Sequence, residues 1–204
     1  GEKYDTIIVG GGIAGLFLAY KLKDTKQDIL LLEKESEWGG RIHTIYKTDY
    51  HYECAAGRIS NKHHKLMTLI HELGLENQLI KLPDKIDVII HNKHSSINVN
   101  SLLKQLLSKS KGLKKDYLQN IVLFQLLIDV FDYDTAVSLR EAFGYDSEFM
   151  VLNAEAALSM FKKDLFKDDT EYYVFKEGLS KIIVSIVNKL KLSGNVTLKL
   201  SEGL

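Results

Sequence analysis

One proline, Pro83, and one cysteine, Cys54, occur in 204 residues. A lone thiol cannot close an internal disulfide, so the fold is not disulfide-stapled, and a reducing, cytoplasmic setting is expected. Acidic and basic side chains balance at 27 each. With no net charge, no field draws the chain to nucleic acid or to an anionic membrane surface. The longest apolar stretches fall far short of a membrane span. Internal repeats and low-complexity linkers are lacking. His63, His64 and His71 fall on or beside a predicted helix and His91 and His94 lie apart. No cysteine or carboxylate set completes a metal site around them. Cys54 itself reads as a small buried residue rather than a nucleophile, and no Ser-His-Asp set is identifiable from spacing. Arginine is also scarce: among 27 basic residues only Arg41, Arg58 and Arg140 are arginine.

The length and the 45% hydrophobic content suffice for a buried core in one or two domains. The 14 glycines are not spread evenly. Gly10-Gly11-Gly12-Ile13-Ala14-Gly15 follows the apolar run Ile7-Ile8-Val9. Asp5 to Val9 reads as a short buried strand. Gly10 permits a tight turn, Gly12 lets backbone approach a pyrophosphate, and Gly15 lets a helix pack closely on the strand. That helix is predicted from Ile13 to Lys23, packing through Leu16, Ala19, Tyr20 and Leu22. Its N-terminus, at Ile13 and Ala14, offers free N–H groups and partial positive charge to phosphate. A second strand, Ile29 to Leu32, ends in Glu33, 18 residues after Gly15. That is close to the roughly 20 expected of an acid that accepts hydrogen bonds from a ribose.

The fingerprint alone does not separate NAD from FAD. The following stretch, Glu33-Lys34-Glu35-Ser36-Glu37-Trp38-Gly39-Gly40-Arg41-Ile42-His43-Thr44, resembles the second glycine motif of the flavin amine oxidase family, where an acid, a short loop and G-G-R-x-x-T occur in that order. The resemblance implies that FAD is the cofactor, that Gly39 and Gly40 bring backbone to its pyrophosphate, and that Arg41 helps to neutralise it. A planar guanidinium suits that task.

Thr44 to Glu53 reads as a hairpin or extended pair, Lys62 to Leu73 as a helix closed by Gly74, and Asp87 to Ile97 as one or two short strands. From Ser101 to about Phe166 the pattern is mainly helical. Leu102, Leu103, Leu106 and Leu107 form one apolar face, and Ile121, Phe124, Leu127 and Ile128 another; both are ordinary core stripes. Tyr172 to Phe175 reads as a strand, Leu179 to Leu190 as a helix and Val196 to Leu200 as a strand. The expected class is α/β: a discontinuous, Rossmann-like FAD-binding domain, residues 1–80 and 171–204, around a mostly helical insertion, residues 81–170.

Glu53-Cys54-Ala55-Ala56-Gly57-Arg58-Ile59-Ser60 resembles the L-amino-acid oxidase branch, which implies that Arg58 holds a substrate carboxylate bidentately. Ala55, Gly57 and Ser60 depart from that branch's pattern. The resemblance implies oxidation of the C–N bond of an amine or L-amino acid by hydride transfer to flavin. Family chains are usually longer, so a fragment, or one piece of an assembly completed by a second chain, is expected. A non-catalytic homologue serving as a binding module or partner subunit is the alternative. An NAD-dependent dehydrogenase is a third reading, disfavoured by Gly39-Gly40-Arg41.

Overall fold

A computed structural model describes residues 2–83, 88–90, 93–164 and 170–203. In chain order its elements are β1 (Thr6–Val9), α1 (Ile13–Leu22), β2 (Ile29–Leu32), β3 (Thr44–Tyr46), β4 (His51–Glu53), β5 (Ile59–Ser60), α2 (His64–Glu72), a 3-10 turn (Glu76–Gln78) and β6 (Leu79–Lys81). There follow β7 (Val88–Ile90), β8 (Lys93–Ser95), α3 (Val99–Lys109), α4 (Lys115–Asn120), α5 (Leu123–Val130), α6 (Tyr133–Phe143), α7 (Asp146–Met150) and α8 (Ala154–Asp164). The chain closes with β9 (Tyr172–Phe175), α9 (Ser180–Lys191) and β10 (Val196–Lys199). It divides into two compact units, Gly1–Leu82 with Thr170–Leu204, and Pro83–Asp169. The sequence places these changeovers at 80/81 and 170/171.

In the first unit β1, β2 and β10 form a parallel sheet with β2 in the middle. A central parallel strand is covered on both faces and needs an apolar residue at every position. Ile29, Leu30, Leu31 and Leu32 meet that need, and all are buried. β1 departs from the fully buried strand expected of it. Ile8 is 6% exposed, but Ile7 and Val9 are 57% and 56% exposed, because only one face of this edge strand packs. That face meets a core built by Leu16 and Ala19 of α1 and by Ile182, Ile183, Ile186 and Leu190 of α9. The helical spacing of the α9 residues aims one apolar stripe at the sheet.

β3 and β4 form an antiparallel hairpin in which Thr44 faces Glu53. A second sheet, in the order β5-β9-β6, is antiparallel, with Ile59 opposite Tyr173 and Leu79 opposite Phe175. Sequence reading does not find β5 and β6. They are two and three residues long, too short for alternation to register, and their partner β9 lies far along the chain. α2 ends as expected at Gly74, which adopts φ +70°. Cys54 corrects its expectation: it is exposed. The chain past β4 is irregular, tied back by its backbone N–H to the His43 carbonyl at 2.9 Å, and no core receives the thiol.

The second unit packs α3 to α8 around Leu103, Leu106, Leu126, Leu139, Phe149 and Phe161. Asn98 caps α3 by accepting from the Ser101 N–H at 2.9 Å, and Asp132 caps α6 by accepting from the Thr135 N–H at 2.7 Å. β7 and β8 form a hairpin, within the span expected to hold short strands; His91 and the side chain of His94 lie outside the described residues. The stripe expected through Ile121 crosses a break. Ile121 and Val122 are extended, the Ile121 carbonyl accepts from Ala154 N–H at 2.8 Å, and the buried face of α5 is Leu123, Leu126 and Leu127. No helix among the described residues is long and apolar enough to cross a membrane.

Leu31 is fully buried at the centre of the parallel sheet. Leu31→Ala is expected to lower stability by about 2–5 kcal/mol in equilibrium urea unfolding.

Candidate functional site

The turn after β1 and the turn after β2 meet edge to edge. The Gly39 N–H donates to the Gly11 carbonyl at 2.9 Å, and Gly12 and Gly39 form a parallel bridge. Gly40 lies beside them, its missing Cβ 3.5 Å from the Gly12 Cα. Most of these glycines answer to the chain's own geometry; Gly39, for one, has φ +120° and a Cβ there would lie 2.6 Å from the Ile42 carbonyl oxygen. Gly10 has φ +103°, and a Cβ on Gly15 would stand 2.0 Å from the Gly10 carbonyl oxygen, so α1 can begin close against β1 only with glycine there. Gly12 is different. Its φ of −72° suits any residue, and the nearest protein atom to a Cβ would be 4.0 Å away. Nothing within the chain demands glycine at this position, and the space in front of it is open.

Glu33, at the end of β2, is 7% exposed. Its Oε2 accepts from the Gly11 N–H at 2.6 Å and its Oε1 from the Glu35 N–H at 2.9 Å. These two bonds, that from Glu35 foremost, hold the carboxyl below its ordinary value of 4.5 against the opposing effect of burial. The acid therefore clamps the first glycine turn to the start of the second. Each oxygen keeps a further lone pair for another donor. Trp38 completes the clamp and is the site residue that sequence reading missed. A Cβ on Gly11 would lie 2.3 Å from Trp38 Cε3, so the indole packs over that glycine. The available signal was a third glycine at a position the fingerprint leaves free, paired with the chain's single tryptophan.

The other candidates also belong to the first unit. Gly12 leads into α1 without any side-chain cap, so no side chain among the described residues engages the first-turn N–H groups at Ile13 and Ala14. Arg41 is exposed, and its guanidinium has no hydrogen-bond or ion-pair partner among the described residues. Its carbonyl is held by the Ala56 N–H at 3.2 Å. Arg58 is exposed; its guanidinium lies 4.8 Å over the Tyr172 ring and meets no carboxylate among the described residues. Arg140, in the second unit, is fully committed, donating to both oxygens of Asp146 at 2.7 and 2.8 Å. Chemically, the two turns offer a backbone-lined, open surface with a positive helix end, a guanidinium without a partner among the described residues, and an oriented carboxylate. Such a surface can hold a diphosphate and a ribose; it carries no redox group of its own.

Comparison with known proteins bears on that surface. The family model for flavin containing amine oxidoreductase matches residues 13–171. The chain is 34% identical over 74 residues to the probable flavin-containing monoamine oxidase A of Dictyostelium discoideum, covering 36% of this chain and 16% of that protein. To the flavin-containing amine oxidase B of Homo sapiens it is 30% identical over 92 residues, 45% of this chain and 17% of that one. A solved structure of putrescine oxidase bound to putrescine superposes with a TM-score of 0.62 at 18% identity, over 96% of this chain and 50% of that chain. The last similarity is one of mixed α/β fold. The chain spans half the length of that structure, and its alignments reach less than a fifth of these curated relatives.

Glu33→Gln is expected to cost about 1–3 kcal/mol at neutral pH, because the amide keeps one acceptor and turns its NH2 against the other N–H. The depressed carboxyl places the wild-type contribution above pH 4.5 in full. It is lost as pH falls through the lower folded-state value. Unfolding measured from pH 7 to pH 3 should therefore show a gap between wild type and variant that closes in acid; a gap of constant size would contradict the clamp.

Proposed function

This chain belongs to the flavin containing amine oxidoreductase family, and we propose that its first unit is a Rossmann-like FAD-binding domain serving oxidation of an amine C–N bond. FAD is the cofactor that goes with this membership. The observation that carries the reading is Gly12: a glycine with an unstrained backbone and no protein neighbour to explain it, facing open space beside Gly39 and Gly40. A pyrophosphate approaching backbone there would require the missing Cβ. In this reading Gly10 and Gly15 shape the turn, and Gly12, Gly39 and Gly40 flank the diphosphate. The α1 terminus at Ile13 and Ala14, together with Arg41, neutralises it. Glu33 uses its remaining lone pairs for the ribose hydroxyls. The chemistry the flavin supplies is acceptance of a hydride as the C–N bond becomes an imine. The chain's own residues bind it and set its surroundings.

The named relatives are a monoamine oxidase, an amine oxidase and a putrescine oxidase, which favours an amine as the substrate class. A second reading, an L-amino acid, rests on Arg58. Its guanidinium is stacked on Tyr172 and free of any carboxylate partner among the described residues, so its fork is available to a substrate carboxylate. Arg58→Lys keeps the charge and loses the fork. It should raise KM for an L-amino acid while leaving oxidation of a simple amine unchanged.

Trp38 is the only tryptophan and packs against the site, so its fluorescence reports directly on occupancy. Titration with FAD should quench it saturably, NAD should not, and denaturation of the complex should release free FAD. Absence of any response to FAD would sink the cofactor reading for this chain. Gly12→Ala is the sharper test. It should shift stability by no more than about 1 kcal/mol, since the backbone angle suits alanine, while weakening FAD at least tenfold. Peroxide release in the presence of amines separates an oxidase from a non-catalytic binding module.

A further inference from the structure

We propose that Thr44, Glu53 and Ser180 form a hydrogen-bonded latch that sets the second glycine turn in place, making Thr44 a positioning residue for the cofactor; this rests on the FAD reading above. Thr44 is a buried polar residue, 6% exposed. Its backbone N–H donates to Ser180 Oγ at 2.9 Å, and the Ser180 N–H donates back to Thr44 Oγ1 at 3.0 Å. The same Oγ1 donates to Glu53 Oε2 at 2.9 Å, while Glu53 Oε1 accepts from the Leu179 N–H at 2.7 Å. One hydroxyl thus uses both its donor and its acceptor capacity. The pairs are 126 and 136 residues apart in sequence for the bonds to α9.

The start of α9 has no side-chain cap of its own. Thr44 and Glu53 supply that cap from another part of the chain, and the Glu53 carboxylate sits at the positive end of the helix. The fit is close. Gly178 has φ +87°, and a Cβ there would lie 2.4 Å from Thr44 Cγ2. The same helix reaches the glycine turn directly, because a Cβ on Gly39 would lie 3.4 Å from Ile183 Cγ1. α9 therefore touches the second turn at two points, under Gly39 and at Thr44, and Gly40 to His43 is strung between them. A second rail runs alongside: the Arg41 carbonyl accepts from Ala56 and the His43 carbonyl from Cys54. Since the Arg41 guanidinium has no partner of its own among the described residues, its aim depends on how this backbone is held. Removing the Thr44 hydroxyl leaves the Ser180 N–H and a Glu53 oxygen without their partner and frees one anchor of the segment.

The test compares Thr44→Val, which keeps the shape and loses the hydroxyl, with Thr44→Ser, which keeps the hydroxyl. A core variant outside the latch, Leu69→Ala, serves as a control for lost stability. Amide exchange of residues 39–43 is followed without cofactor, and FAD affinity by Trp38 fluorescence. T44V should speed exchange in that segment and weaken FAD, each by about tenfold. T44S should stay within about threefold of wild type, and L69A should leave both readouts unchanged. Wild-type behaviour of T44V, or equal damage in T44V and T44S, overturns the proposal. If wild type itself ignores FAD, the cofactor reading fails and the exchange experiment alone decides the latch. Should T44V not fold, Glu53→Gln replaces it, with the same two readouts and the same criteria.

Discussion

The bond from the Gly39 N–H to the Gly11 carbonyl is the constraint around which the first unit is arranged. It brings two turns, each at the end of a parallel strand, into backbone contact. The residues that meet in the seam, Gly11, Gly12, Gly39 and Gly40, carry no side chains. The sheet sets the spacing: Val9 and Leu32 stand in register, so the turns leave β1 and β2 at the same height. The clamp from Glu33 to Gly11 then fixes the first turn, Trp38 covers it from one side, and α9 supports the second turn from beneath through Ile183.

An acid at a site that is to receive a diphosphate needs a physical justification. Glu33 has both oxygens engaged by backbone N–H groups, so part of its charge is spent within the turn. The end of α1 contributes roughly half a positive charge and Arg41 a whole one. A diphosphate with about two negative charges would thus be largely, not fully, compensated on this surface. A further phosphate on the ribose would meet Glu33 with like charge. In the proposed reading, the arrangement would favour a nucleotide with free ribose hydroxyls over a 2′-phosphorylated one.

What could be read from sequence follows how local each feature is. Gly10, Gly12, Gly15, Glu33, Gly39, Gly40 and Arg41 lie within a short stretch, and their pattern depends on strand, turn and helix signals that neighbouring residues supply. The helices of the second unit were legible for the same reason, through apolar periodicity. The break at Ile121-Val122 was not, because Ile121 and Val122 are apolar and keep the stripe unbroken in sequence while their backbones are extended to bond residues 152–154. β5 and β6 are invisible until β9 is placed between them. The exposure of Ile7 and Val9 follows from β1 lying at the edge of the described sheet, which composition does not reveal. Trp38 and the Thr44–Glu53–Ser180 cluster escaped notice because their partners are fixed by tertiary contact, not by spacing.

The arginines show how far the site's chemistry can be pressed from one chain. In a lysine-rich sequence, arginine is informative where the planar fork does something an ammonium cannot. Arg140 uses its fork on Asp146 within the second unit and is a structural residue. Arg58 lies over the ring of Tyr172, on the middle strand of the β5-β9-β6 sheet, and meets no carboxylate among the described residues. Among the described residues Arg41 uses neither: its carbonyl is held by the Ala56 N–H while the residue is exposed. A guanidinium on a fixed backbone with unspent donors is prepared for an anion that arrives from outside. Of the two such arginines among the described residues, Arg41 stands next to the open glycine seam, and in the proposed reading its anion is the diphosphate. Arg58 immediately precedes β5, two residues beyond the Ala56 whose N–H holds the Arg41 carbonyl, so one hydrogen-bonded pair of segments carries both arginines.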